Sequence, residues 1–84
     1  MPDITLYTTD PCARCHRSKA LLEAYGLSYR EVNLAKDPEG RKELVALTGR
    51  MTFPQIVIDG RPLGGEEELA EAARNGELEK LDSA

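Results

Sequence analysis

Apolar and polar positions along this chain fall into short runs with two different periods. In "ITLYT", Ile4 and Leu6 alternate with Thr5 and Tyr7, the pattern of a strand that turns one face inward. From Ser18 the period lengthens: Ser18, Leu21, Leu22 and Tyr25 recur at helical spacing, and Gly26 closes that helix. "YREVNL", Tyr29 to Leu34, reads as a second strand. Asp37 and Pro38 form a cap and first position for the next helix, whose apolar stripe is Leu44, Val45 and Leu47 and whose end is Gly49. Ile56, Val57 and Ile58 form an unbroken apolar run, as in a strand covered on both faces. Asp59-Gly60 is a two-residue hairpin signal, and Pro62 sends the strand after it to a sheet edge. Gly64-Gly65 leads into "EEELAEAARNG", a final helix with acids in its first turn and Gly76 at its end.

The predicted order is βαβαββα over residues 1–84. It makes one α/β domain, a four-stranded mixed sheet flanked by three helices, with the first two strands parallel through a right-handed crossover. Eighty-four residues is near the size at which a single core just suffices. Hydrophobic residues at 40% and charged residues at 31% fit a soluble globular chain. A net charge of −4 argues against nucleic acid as a partner, since phosphate binding needs a basic surface. No apolar run is long enough to span a membrane. "MPDITLYTTD" has no basic stretch followed by an apolar one, so no export signal is read and a cytoplasmic location is expected. Two cysteines in a reducing compartment point to catalysis or metal binding rather than a structural staple.

The charge is uneven. Acids concentrate after position 65, whereas Arg14, His16, Arg17 and Lys19 crowd around the cysteines. Those cysteines lie in "DPCARCHRSK", which supports two exclusive readings: Cys12 and Cys15 as a C-x-x-C dithiol, or, with His16, the C-x-x-C-H attachment signature of a c-type haem. Met51 offers an axial ligand for the second reading. Yet small haem proteins with that motif are helical, and haem attachment normally takes place outside the cytoplasm. A tetrahedral metal site needs four ligands, and near the cysteines only His16 and carboxylates add to the pair. A cluster shared between two chains with added thiols is the binding-module alternative. The dithiol has positive support. Cys12 falls between a strand and a helix, where free N–H groups and the dipole favour an anion, and Cys15 lies one turn further on the same face. Such placement brings a thiol pKa from about 8.5 to roughly 3.5–7.5; two units correspond to about 2.7 kcal/mol in favour of the thiolate. Arg14, Arg17 and Lys19 are expected to act in the same direction and Asp10 against it. Cys12 then attacks and Cys15 resolves.

Three blocks, "YTTDPCARCHRSKALLEAYG", "LTGRMTFPQIVIDG" and "LGGEEEL", together resemble the glutaredoxins of the thioredoxin-fold superfamily, over nearly the whole chain. The resemblance implies a thioredoxin-like fold and a thiol–disulfide oxidoreductase that reduces protein disulfides or glutathione mixed disulfides. Glutathione serves as reductant and co-substrate, no cofactor is tightly bound, and the protein is a monomer. Thr52-Phe53-Pro54 resembles the family's Thr-Val-Pro segment, whose proline is cis and faces the active cysteine while the preceding residue offers its backbone to the bound thiol. Gly65, Glu66 and Glu67 lie in a segment similar to the one that holds the γ-glutamyl end of glutathione. Thr9 stands where the family usually has lysine, and Ala13-Arg14 where it has Pro-Tyr; Arg14 and Arg50 are the replacement charges for a carboxylate. Cys15 stands where the monothiol, cluster-carrying branch has serine. The runner-up is a redoxin reduced by thioredoxin reductase, of the kind that supplies hydrogen to ribonucleotide reductase.

Overall fold

Hydrogen bonds on both sides make the first strand, β1 (Ile4–Thr8), an interior strand of the sheet. The computed structural model describes residues 3–83. After β1 come α1 (Ala13–Ala24), β2 (Arg30–Asn33), α2 (Pro38–Thr48), β3 (Gln55–Ile58), β4 (Arg61–Gly64), α3 (Glu66–Arg74) and α4 (Glu77–Ser83). The sheet order is β2-β1-β3-β4, with β1 parallel to β2 and antiparallel to β3. This is the predicted four-stranded mixed sheet, with one helix more than the pattern indicated.

Alternation sorts the side chains between two faces. Ile4 and Leu6 on β1 stand beside Ile58 and Ile56 on β3, and this face gathers Leu22 of α1, Leu69 and Ala72 of α3 and Leu78 of α4 into the main core. Thr5 and Tyr7 pair with Val57 and Gln55 and point the other way, toward α2, whose Leu44 is buried. The edge strand β2 is mostly polar. All four residues of β2 are exposed, which blunts that edge against pairing with another chain. Pro62 lies on the edge strand β4, as expected.

The punctuation agrees with local chemistry. Asp37 caps α2 by accepting from Gly40 N–H at 2.9 Å, Pro38 takes the first helical position, and Gly49 ends the helix in the left-handed region. Asp59 and Gly60 have φ of 52° and 79°, so the β3–β4 hairpin turns through two left-handed residues, as a primed turn requires. The second strand is shorter than read. The final helix is also interrupted: α3 stops at Arg74, Gly76 follows with φ of 86°, and α4 then returns Leu78 to the core. The glycine was a correct stop signal, but the seven residues of α4 are too few to show a period.

Candidate active site

Cys12 is the N-cap of α1. Its backbone is extended, and its Sγ accepts a hydrogen bond from Cys15 N–H at 3.1 Å. The sulfur therefore takes the place of the oxygen in an ordinary cap, facing the free N–H groups and positive end of the helix. The first turn of α1 carries no acid to oppose a negative charge there. Cys12 is half-buried, Cys15 is 2% exposed, and the two are joined as a disulfide with their Cα atoms 5.2 Å apart. The outer cysteine is the one a reagent can reach, and the inner one is shielded.

The cations around the pair do not act together as expected. Lys19 is bound to Glu31 at 2.8 Å, and Glu31 also accepts from Thr8 Oγ1 at 2.9 Å. The hydrogen bond between them holds Lys19 above its ordinary value and Glu31 below the usual carboxylate range. Arg17 grips Glu66 with two guanidinium nitrogens, at 2.9 and 3.3 Å. Asp10, expected to oppose the thiolate, accepts from Asn33 Nδ2 at 3.0 Å. Arg14, exposed between the cysteines, makes no ion pair or side-chain hydrogen bond to any described residue.

A cavity of about 300 Å³ opens beside the disulfide, and its lining joins three distant parts of the chain: Arg14 and Arg17 from α1, Arg50 to Pro54 (Met51 apart) from the loop before β3, and Gly65 to Glu68 from the start of α3. Every residue that the resemblance assigned to glutathione is in it: Arg14, Arg50, Thr52, Phe53, Pro54, Gly65, Glu66 and Glu67. Neither cysteine lines it, but Arg14 between them does. The Phe53–Pro54 bond is cis, and a Cβ on Gly65 would stand 3.2 Å from the Pro54 carbonyl, so glycine at position 65 eases the close approach of the proline loop to the α3 N-terminus. Thr52 accepts from Gln55 Nε2 at 2.9 Å, which fixes the loop from beneath.

Arg17 and Glu68 also line this cavity; the sequence named the first as a cation near the cysteines and the second within the Gly-Gly-acid segment, but neither as a glutathione contact. Glu68 accepts from Gly65 N–H at 2.7 Å, half of a capping box, and pairs with Arg50 at 3.0 Å. The glutamate three residues after the helix start was the available signal for it. Arg17 has none, because its partner Glu66 is 49 residues away. The Gly65 N–H and then the Arg50 guanidinium hold the Glu68 carboxyl below the usual carboxylate range. A depressed folded-state value means that the stabilisation is complete above the unfolded value of about 4.3 and is lost as pH falls through the folded one. Glu68→Ala is expected to lower stability at pH 7 by about 1 kcal/mol, the size of a lost cap. Its urea curve should merge with that of the unaltered protein as the pH is lowered below the carboxylate range. Glu68→Gln keeps an acceptor for Gly65 and should fall between them.

Two features concern the metal readings. Met51, the axial candidate for haem, is exposed and lines a separate hollow with Pro38 and Val45. Among the described residues no group of three or more His, Cys, Asp or Glu is arranged to hold a metal ion. A larger hollow, about 590 Å³ between β4 and α4, contains no cysteine.

Comparison with known proteins agrees with this geometry. The Glutaredoxin family model matches residues 4–63. The chain is 37% identical over 81 residues to Glutaredoxin 3 of Escherichia coli (strain K12), covering 96% of this chain and 98% of that one. The solution structure of Glutaredoxin from Brucella melitensis superposes with a TM-score of 0.82 at 38% identity, over 94% of this chain and 86% of that one. The crystal structure of a buckwheat glutaredoxin–glutathione complex gives a TM-score of 0.82 at 28% identity, over 92% of this chain and 73% of that one.

Proposed function

This chain belongs to the glutaredoxin family and is a thiol–disulfide oxidoreductase, and on that footing we propose that glutathione is its reductant and co-substrate. The observation that carries the reading is the convergence of Arg14, Phe53-Pro54 and the α3 N-terminus on one cavity beside the disulfide. The substrates are protein disulfides and glutathionylated proteins in the cytoplasm. The Cys12 thiolate attacks a disulfide sulfur, the S–S bond breaks, and the electron pair leaves on the departing thiol. Either Cys15 then attacks Cys12 to close the internal disulfide, or glutathione takes the group from Cys12. The α3 N–H groups suit the γ-glutamyl carboxylate and the Glu66 and Glu67 side chains its amine. Arg14 receives the glycyl carboxylate in place of the missing lysine, and a guanidinium matches that planar anion. In support, the buckwheat relative forms a complex with glutathione.

Two assays run in parallel test this, one coupling the protein to NADPH through glutathione and its reductase, the other through thioredoxin reductase. Turnover in the first supports glutathione; rapid turnover in the second alone replaces it with the redoxin reading and leaves the dithiol intact. Within the glutathione assay, Arg14→Ala should raise KM for a glutathione mixed disulfide about fivefold, the equivalent of roughly 1 kcal/mol at an exposed site, with kcat unchanged. An unchanged KM would remove Arg14 from the binding site.

A further inference from the structure

Ser18 is 1% exposed, and in the oxidised molecule its hydroxyl has no hydrogen-bond partner among the described residues. A buried polar group left unpaired is uncommon and calls for a physical reason. In a helix a serine hydroxyl ordinarily finds the carbonyl one turn back; here it does not. Ser18 lies three residues after Cys15 on α1, and both face the interior. Side chains on a helix lean toward its N-terminus, so a residue at this spacing reaches back over the turn that holds the earlier one. That spacing sets the orphaned hydroxyl over the turn that carries Cys15, and both residues are sealed from solvent.

We propose that Ser18 is the hydrogen-bond donor that receives the Cys15 sulfur when the disulfide opens. A reducing thiolate attacks Cys12 Sγ, a new S–S bond forms there, the Cys12–Cys15 bond breaks, and its electron pair leaves on Cys15 Sγ. That sulfur is then an anion until it takes a proton, in a place water does not reach. Burial without a donor disfavours the charged form. The Cys15 N–H is already directed at Cys12. The Ser18 hydroxyl has an uncommitted hydrogen and turns about a single bond, so it serves the open state and idles in the closed one. Ser18 thus acts through Cys15, as a residue that sets the balance between disulfide and dithiol. The inference rests on the dithiol chemistry and not on glutathione.

The test is the equilibrium of Ser18→Ala with a dithiothreitol redox buffer, read by alkylation and mass. Removing the hydroxyl abolishes the orphan in the oxidised form and the hydrogen bond in the reduced one. Both effects favour the disulfide, and a shift of about tenfold toward it is expected. The melting temperature of the oxidised form should hold or rise while that of the reduced form falls. A purely structural serine would move both melting temperatures together and leave the redox equilibrium within twofold of the unaltered protein; either result overturns the proposal. The unaltered protein supplies a second readout. The Ser18 hydroxyl proton should resonate further downfield in the reduced state than in the oxidised state, as a new hydrogen bond requires, and an unchanged position would refute the assignment.

Discussion

Cys12→Ser is expected to bring disulfide exchange down to background, a loss of at least about a thousandfold in either coupled assay, because no other described cysteine can replace the nucleophile. Three structural facts single out this sulfur over Cys15. It is the N-cap of α1, it accepts the Cys15 N–H at 3.1 Å, and it is accessible while Cys15 is 2% exposed. The thiolate is the reactive form, and the helix terminus favours it. With Lys19 and Arg17 engaged by carboxylates, that preference comes chiefly from the backbone, so it should change little with salt, unlike a field of exposed cations. The pH dependence of Cys12 alkylation in the reduced protein measures it directly. A midpoint below about 8.5 is expected, and an ordinary thiol profile would remove the basis of the mechanism. Cys15→Ser should behave differently. It should lose reduction of protein disulfides that needs the second thiol and keep turnover of glutathione mixed disulfides, since glutathione can then resolve the intermediate.

The other large effect is on stability. Leu6→Ala is expected to cost about 2–5 kcal/mol, the range for truncating a fully buried leucine. At roughly 0.05–0.15 kcal/mol per residue, a chain of this length holds about 4–13 kcal/mol in all. One substitution can therefore remove a large share. Leu6 has no exposed surface, sits on an interior strand, and pairs with Ile56, which is equally buried. Neighbours on both sides keep the strand from moving to fill the space. For about 3 kcal/mol the melting temperature of the oxidised protein should fall by roughly 12–24 °C. A fall of less than 5 °C would show that the core does not close over β1. Activity per folded molecule should be preserved near room temperature, because Leu6 lies on the interior of the strand while Cys12 lies beyond its end.

Much of this architecture was legible in advance because its signals are local. Caps, primed turns and the two hydrophobic periods depend on residues within about one helical turn of each other, as at Asp37-Pro38 and Asp59-Gly60. The extra helix was not legible, since α4 has only two core-facing leucines, Leu78 and Leu81, and its stability comes from packing rather than pattern. The site divides the same way. The cysteines are close in sequence, and the resemblance brought in the proline loop and the Gly-Gly-acid segment. Charge was misjudged: composition placed Arg17 and Lys19 beside the cysteines, yet each is committed to a carboxylate on another element.

The chain alone thus determined the order of the first seven elements, the turns between them and the delivery of Cys12 to a helix start, because each follows from short-range backbone chemistry. Only the tertiary structure decided that, among the described residues, Arg14 is left without a partner while Arg17 and Arg50 are held by Glu66 and Glu68, and the Ser18 hydroxyl is sealed in without an acceptor. Those outcomes depend on which side chains the packed sheet and helices bring within about 3 Å of each other, a distance that spacing along the chain does not encode.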